Sequence, residues 1–168
     1  MSCRYKHPLS QSTLTMLVTS LILQRLDYCN SVLAGLQASS TTVQNAAARL
    51  ILNLDNRAHV TQALQQLYWL PVHYGTQYKI ATLMHHIYNN TAPTYLSNLV
   101  SFSLARSLRS TTNRAAVQRT RTRLGDRAFS IAGPRVWWYN LPASRRQTVS
   151  TAAFKRQLET YLCSVVGV

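Results

Sequence analysis

Through the first hundred residues, apolar side chains recur every three or four positions, which is the period of an amphipathic helix. Leu14, Val18, Ile22, Leu26, Cys29, Leu33 and Leu36 form one long stripe. "LQASSTT" follows as a turn, and Thr41 or Thr42 can cap a second helix with Val43, Ala47, Leu50 and Leu54 on one face. In "HVTQALQQLYWLPV", Val60, Leu64, Leu67 and Tyr68 stand at helical spacing; Pro71 is expected to stop that helix and Trp69 to join the core. A longer helix is predicted from about Gln77 to Tyr88, with Ile80, Leu83, Met84 and Ile87 inward and Gly75 near its start. "NNTAP" breaks it, and "TYLSNLV" gives another short helix.

The pattern changes at Ser101. "SFSLARSLRSTTNRAAVQRTRTR" is rich in Ser, Thr and Arg and holds no sustained apolar period, as expected of a linker or extended arm. Arg119, Arg121 and Arg123 alternate with threonines, so a strand there would point all three to one side, about 6.6 Å apart. "LGD" is turn chemistry, after which Ala128–Ala132 can pair back as a short hairpin. Helical spacing returns after Pro142, over Ser150–Leu162, with Phe154, Leu158 and Leu162 inward. The expected fold is mainly α: an antiparallel helical bundle, then a basic, partly extended segment that can include a short β-hairpin, then a C-terminal helix. The expected regions are 1–100, helical; 101–127, a basic linker or arm; and 128–168, a small C-terminal module.

Charge adds a functional constraint. Eighteen Lys and Arg face four Asp and Glu, a formal net charge of +14, and such a chain attracts polyanions at long range. Residues 1–100 hold six basic and two acidic side chains, net +4, whereas 101–168 hold twelve and two, net +10. Fifteen of the eighteen cations are Arg, whose forked guanidinium pairs with phosphate and stacks on bases. Hydrophobic residues make up 46% of the chain, too many for wholesale disorder. Cys3, Cys29 and Cys163 form no disulfide pattern, so a nuclear or cytoplasmic protein is expected and a secreted one is not. Leu14–Leu23 is too short to span a bilayer and is interrupted by Gln24, Arg25 and Asp27; with few cations on the polar face, no membrane partner is expected either.

Catalytic chemistry finds little purchase. Asp27, Asp55, Asp126 and Glu159 are scattered singly, and metal-dependent phosphoryl transfer needs two or three carboxylates around its ions. His85 and His86 are adjacent, so on a helix they diverge by about 100° and cannot close on one metal; they read as two half-exposed histidines. No phosphate-binding loop, dinucleotide fingerprint or nucleophile elbow occurs. The expectation is therefore a chain that is not an enzyme, with no cofactor, no metal and no small-molecule substrate.

Several stretches taken together resemble one family. "RLDYCNSVLAGL", "VQNAAARLI", "HVTQALQQLYWLPV", "YKIATLMHHIYNNTAPTYLSNLV", "RTRTRLGDRAF" and "GPRVWWYNLP", followed by "AAFKRQLETYL", are similar in order to the C-terminal portion of reverse transcriptases of LINE-type, non-LTR retrotransposons. The resemblance runs from about Leu21 to Leu162. It implies a thumb-like region and C-terminal extension of an RNA-directed DNA polymerase whose catalytic palm lies upstream. It also implies partners: the backbone of template RNA or primer DNA, and the palm where the two are translated together. Residues expected to contact nucleic acid are Arg106, Arg109, Arg114, Arg119, Arg121, Arg123, Arg127 and Arg135, with Trp137 inward. The segment before "VQNAAARL" is shorter than the family's, "HYG" replaces basic and branched residues, and Asn140 is one step out of register. These departures imply the alternative: an inert, partly folded product of a decayed retrotransposon copy.

Overall fold

The computed structural model describes residues 10–28, 37–102, 115–122 and 125–166, and every regular element among them is helical. The chain divides into two compact units, Met1–Gly75 and Thr76–Gly167.

In the first unit, α1 (Gln11–Val18) starts at Ser10, whose hydroxyl accepts the Thr13 N–H at 3.3 Å. It runs through a π-helical turn, Thr19–Leu23, into α2 (Gln24–Tyr28). A stripe repeating every four residues drifts around a helix of 3.6 residues per turn, and a wider π turn takes up part of that drift. Leu14 and Val18 are buried and Ile22 packs against the same cluster; Cys29, Leu33 and Leu36 lie outside the described residues.

α3 (Gln37–Leu52) keeps Ala47 of its expected face inward but turns the rest of that face outward. Gln44, Ala47, Ala48 and Ile51 are buried, while Val43, Leu50 and Leu54 are exposed. The Gln44 side chain explains the rotation. Its amide donates to the Leu70 carbonyl at 3.0 Å and accepts the Val72 N–H at 3.1 Å. A buried amide with both ends satisfied brings its helix face inward, and the alanines beside it permit close packing.

α4 (Thr61–Gln66) contributes Ala63 and Leu64 to this cluster, with Val60 just before it and Trp69 just after. Pro71 does not stop α4, which ends earlier at a left-handed residue, Tyr68, with φ 53°. The Trp69 N–H reaches back to the Leu64 carbonyl at 2.9 Å and the Tyr68 N–H to that of Gln65 at 3.0 Å, the pattern of a Schellman cap. Tyr68 itself is 89% exposed and not part of the inward face. Pro71 instead opens α5 (Val72–Tyr88), whose first bond runs from the Gly75 N–H to the Pro71 carbonyl at 3.1 Å. A proline at a helix start loses nothing, because the N–H it lacks would have no intrahelical partner there. The helix therefore begins five residues ahead of its expected start at Gln77, with Gly75 inside it.

The second unit is built on the rest of α5, with Ile80, Ala81, Met84, His85 and Ile87 buried. α6 (Thr94–Ser97) follows, and an antiparallel bridge pairs Phe102 with Ala115. Residues 116–122 carry no helix or strand, so Arg119 and Arg121 are not on a strand. Nor does Ala128–Ala132 pair back as a hairpin: it runs into α7 (Phe129–Arg135), which continues as a π-helical turn, Val136–Asn140. Ile131, Ala132, Gly133 and Pro134 are all buried; Gly133 makes close approach possible, since a Cβ there would lie 2.8 Å from the Met84 sulfur. After α8 (Ala143–Arg146), α9 (Thr151–Val166) closes the unit with Phe154, Leu158 and Leu162 buried, the face expected of it.

Candidate nucleic-acid interface

Of the eight expected arginines, Arg106, Arg109, Arg114 and Arg123 lie outside the described residues. Arg119 and Arg121 are exposed on the irregular segment before the turn, Arg127 is half-buried, and Arg135 is exposed at the end of α7. The turn is shaped by its own polar groups. The Thr122 hydroxyl accepts the Gly125 N–H at 3.0 Å, and the Asp126 N–H donates to the Thr122 carbonyl at 3.1 Å. Asp126 then ties the turn to one of the expected contacts: its Oδ1 accepts the Thr120 hydroxyl at 2.5 Å and pairs with Arg135 Nη2 at 3.1 Å. The Thr120 hydrogen bond first, and the Arg135 guanidinium second, hold the Asp126 carboxyl below the usual carboxylate range. Arg119 and Arg121 thus flank a threonine tied through one carboxylate to the end of α7.

A second basic group, which the sequence reading missed, surrounds α8. Arg145 donates to the Gln157 carbonyl and its guanidinium lies 4.9 Å from the centre of the Tyr161 ring. Arg146 lies 4.5 Å from the centre of the Trp138 ring. Guanidinium over an aromatic face is attractive and leaves N–H donors at the ring's edge for other partners. Lys155 and Arg156 are exposed on the first turns of α9. The signal available in the sequence was the pair Arg145–Arg146 just after the tryptophans, which only the fold turns back onto them.

The three adjacent aromatic residues divide the work. Trp137 is 2% exposed and stacks on Tyr88, with ring centres 5.0 Å apart. Trp138 is half-buried beneath Arg146, and Tyr139 faces solvent. Tyr88 also accepts the Ala115 N–H at 3.2 Å and meets Phe102 edge-on at 5.5 Å.

His85 is not half-exposed as expected but 1% exposed. Its ring stacks on Phe154 at 4.2 Å, and Nε2 lies 2.7 Å from the Thr148 carbonyl, which it meets as an N–H donor. Asn89 Nδ2 lies 3.2 Å from Nδ1, which is left as an acceptor. Burial holds the His85 pKa below the ordinary histidine value, against the Thr148 bond that favours the charged ring. His86 instead bonds Thr91 through Nδ1 at 2.8 Å. Asp55 and Glu159 are exposed, and among the described residues no three His, Cys, Asp or Glu side chains are placed to share a metal ion. No helix among the described residues is long and apolar enough to cross a membrane.

No family model, no curated protein and no solved structure matches this chain.

Proposed function

We propose that this chain is a non-catalytic, C-terminal piece of a LINE-type retrotransposon reverse transcriptase, which holds template RNA or primer DNA by its backbone without reading sequence. The observation that carries the reading is the state of the charges around the turn. Arg119 and Arg121 are exposed, and Asp126, the only carboxylate between Asp55 and Glu159 in the sequence, is committed to Thr120 and Arg135. Cations left uncompensated in this way contact phosphate, and each phosphate neutralised releases counterions and steepens the salt dependence of binding. The resemblance of the sequence motifs to that family names the polynucleotide; the net charge of +14 supports the class of ligand.

Fluorescence anisotropy with a labelled RNA–DNA hybrid over a salt series tests this. Binding should be independent of sequence, and Arg119→Ala combined with Arg121→Ala should flatten the log–log salt slope by about 2. Absence of binding at low salt from a sample that melts cooperatively would defeat the proposal and leave the inert product of a decayed copy in its place.

A further inference from the structure

The connection from α8 into α9 reads "SRRQTVS": arginines three and two residues before Thr148, and an apolar Val149 directly after it. We propose that Thr148 is a phosphorylation site for a serine/threonine kinase that selects arginine before its target, and that the phosphate weakens polyanion binding by the basic face around α8. Such a kinase has acidic pockets for the two guanidinium groups and an apolar slot for the residue after the acceptor, so that charge pattern specifies the substrate.

The local structure suits an acceptor. Thr148, Val149 and Ser150 belong to no helix or sheet, so an extended course through a kinase cleft competes with single bonds, such as the Thr148 N–H to the Arg145 carbonyl at 3.4 Å, and not with a ladder. Val149 is 79% exposed, an apolar side chain directed at solvent where packing does not require it. Among the described residues the Thr148 hydroxyl donates to Gln157 Oε1, at 3.0 Å on the exposed surface, and a rotation about χ1 frees it. Its carbonyl is meanwhile held by His85 Nε2. The two arginines are engaged with Tyr161, the Gln157 carbonyl and Trp138, contacts for which the kinase's acidic pockets compete, and α8 between them and Pro142 is a single turn of four residues without a side-chain cap.

In the transfer, Thr148 Oγ1 attacks the γ-phosphorus of a nucleoside triphosphate. The new O–P bond forms as the bond to the β–γ bridging oxygen breaks, the nucleoside diphosphate leaves, and the hydroxyl proton passes to the kinase's base. A neutral hydroxyl becomes a group of about −2 charge with three strong acceptors. It stands within three residues of Arg145 and Arg146, and ahead of Lys155 and Arg156 on α9. Guanidinium groups drawn onto this phosphate are withdrawn from other phosphates. The loss of binding rests on the nucleic-acid reading above; the modification itself does not.

The test uses the full chain, the catalytic subunit of a cyclic-AMP-dependent protein kinase and labelled ATP, with the modified residue located by fragmentation mass spectrometry. Phosphate is expected on Thr148 and should vanish in Thr148→Ala. Incorporation should slow by about tenfold or more in Arg145→Gln and in Arg146→Gln. Circular dichroism of each variant verifies the helical content. Phosphate found on other residues, such as Ser110 or Thr122, and unchanged in Thr148→Ala, would overturn the site. The phosphorylated chain should bind the RNA–DNA hybrid about tenfold more weakly at fixed salt. Unaltered affinity with phosphate on Thr148 overturns the regulatory half alone. An unmodified chain that does not bind at all removes that half together with the nucleic-acid reading, while the mapped site stands or falls separately.

Discussion

Three helices end on a left-handed residue that is not glycine: Asn53, Tyr68 and Asn90 have φ of 50°, 53° and 55°. Each is followed by the paired back-bonds of a Schellman cap. Asparagine tolerates this conformation, whereas a tyrosine there costs about 1–2 kcal/mol. Tyr68 faces solvent, so removing its ring sacrifices little packing. Tyr68→Gly should therefore raise stability by about 1 kcal/mol, read as a later urea midpoint at unchanged slope. Gly133 presents the reverse case. The Met84 sulfur that a Cβ would strike belongs to a fully buried side chain with nowhere to swing. Gly133→Ala should destabilise by about 1–3 kcal/mol even though alanine is the better helix former, and the same urea titration decides the sign.

Among whole helices, α9 was legible because Phe154, Leu158 and Leu162 make one unambiguous face and nothing polar competes with them. α3 was not, because its position is fixed by where Gln44 finds two backbone partners, and those partners lie 26 and 28 residues away. Pro71 is ambiguous in sequence for a related reason: a proline is equally at home after one helix and before the next, and the left-handed Tyr68 has already ended the first. The turn at "LGD" was recognised, but the sequence beyond it suits a helix against Met84 better than a strand with no neighbour to pair with.

The contact of α5 with α9 through His85 has a pH signature. The buried ring takes up its proton at lower pH than the same histidine in the unfolded chain. Below about pH 6.5 the unfolded state binds more protons, so stability should fall as the solution is acidified through that value, by at most about 1.4 kcal/mol per pH unit. The fall levels off below the lowered pKa of the folded state. Asp126, whose carboxyl is also held low, adds its loss only in the more acidic carboxylate range. Urea midpoints between pH 7.5 and 5.5 should drop for the natural chain and stay flatter for His85→Gln.

At the scale of the whole chain, fourteen uncompensated positive charges repel one another in the folded state more than in the expanded one. Added salt screens that repulsion over a Debye length of about 10 Å at 0.1 M. The melting temperature should therefore rise between low and moderate sodium chloride while affinity for nucleic acid declines; calorimetry and anisotropy on the same samples would reveal opposite trends. The candidate interface was only partly legible from sequence. Alternating arginines drew attention to 119–123, yet the side chains that the fold sets against aromatic rings, Arg145 and Arg146, stand outside that alternation and gain their setting only when α8 folds against Trp138 and Tyr161.

The second unit takes most of its innermost residues from α5 and α9, at opposite ends of its own stretch of chain. A ribosome making this protein delivers His85 and Met84 long before Phe154, so their surfaces wait, wet and sticky, until α9 emerges. The first unit has a shorter wait of the same kind, Leu14 and Val18 standing by until Leu64 and Trp69 are made. Synthesis that stalls between the two would leave a finished half attached to one that chaperones must shelter.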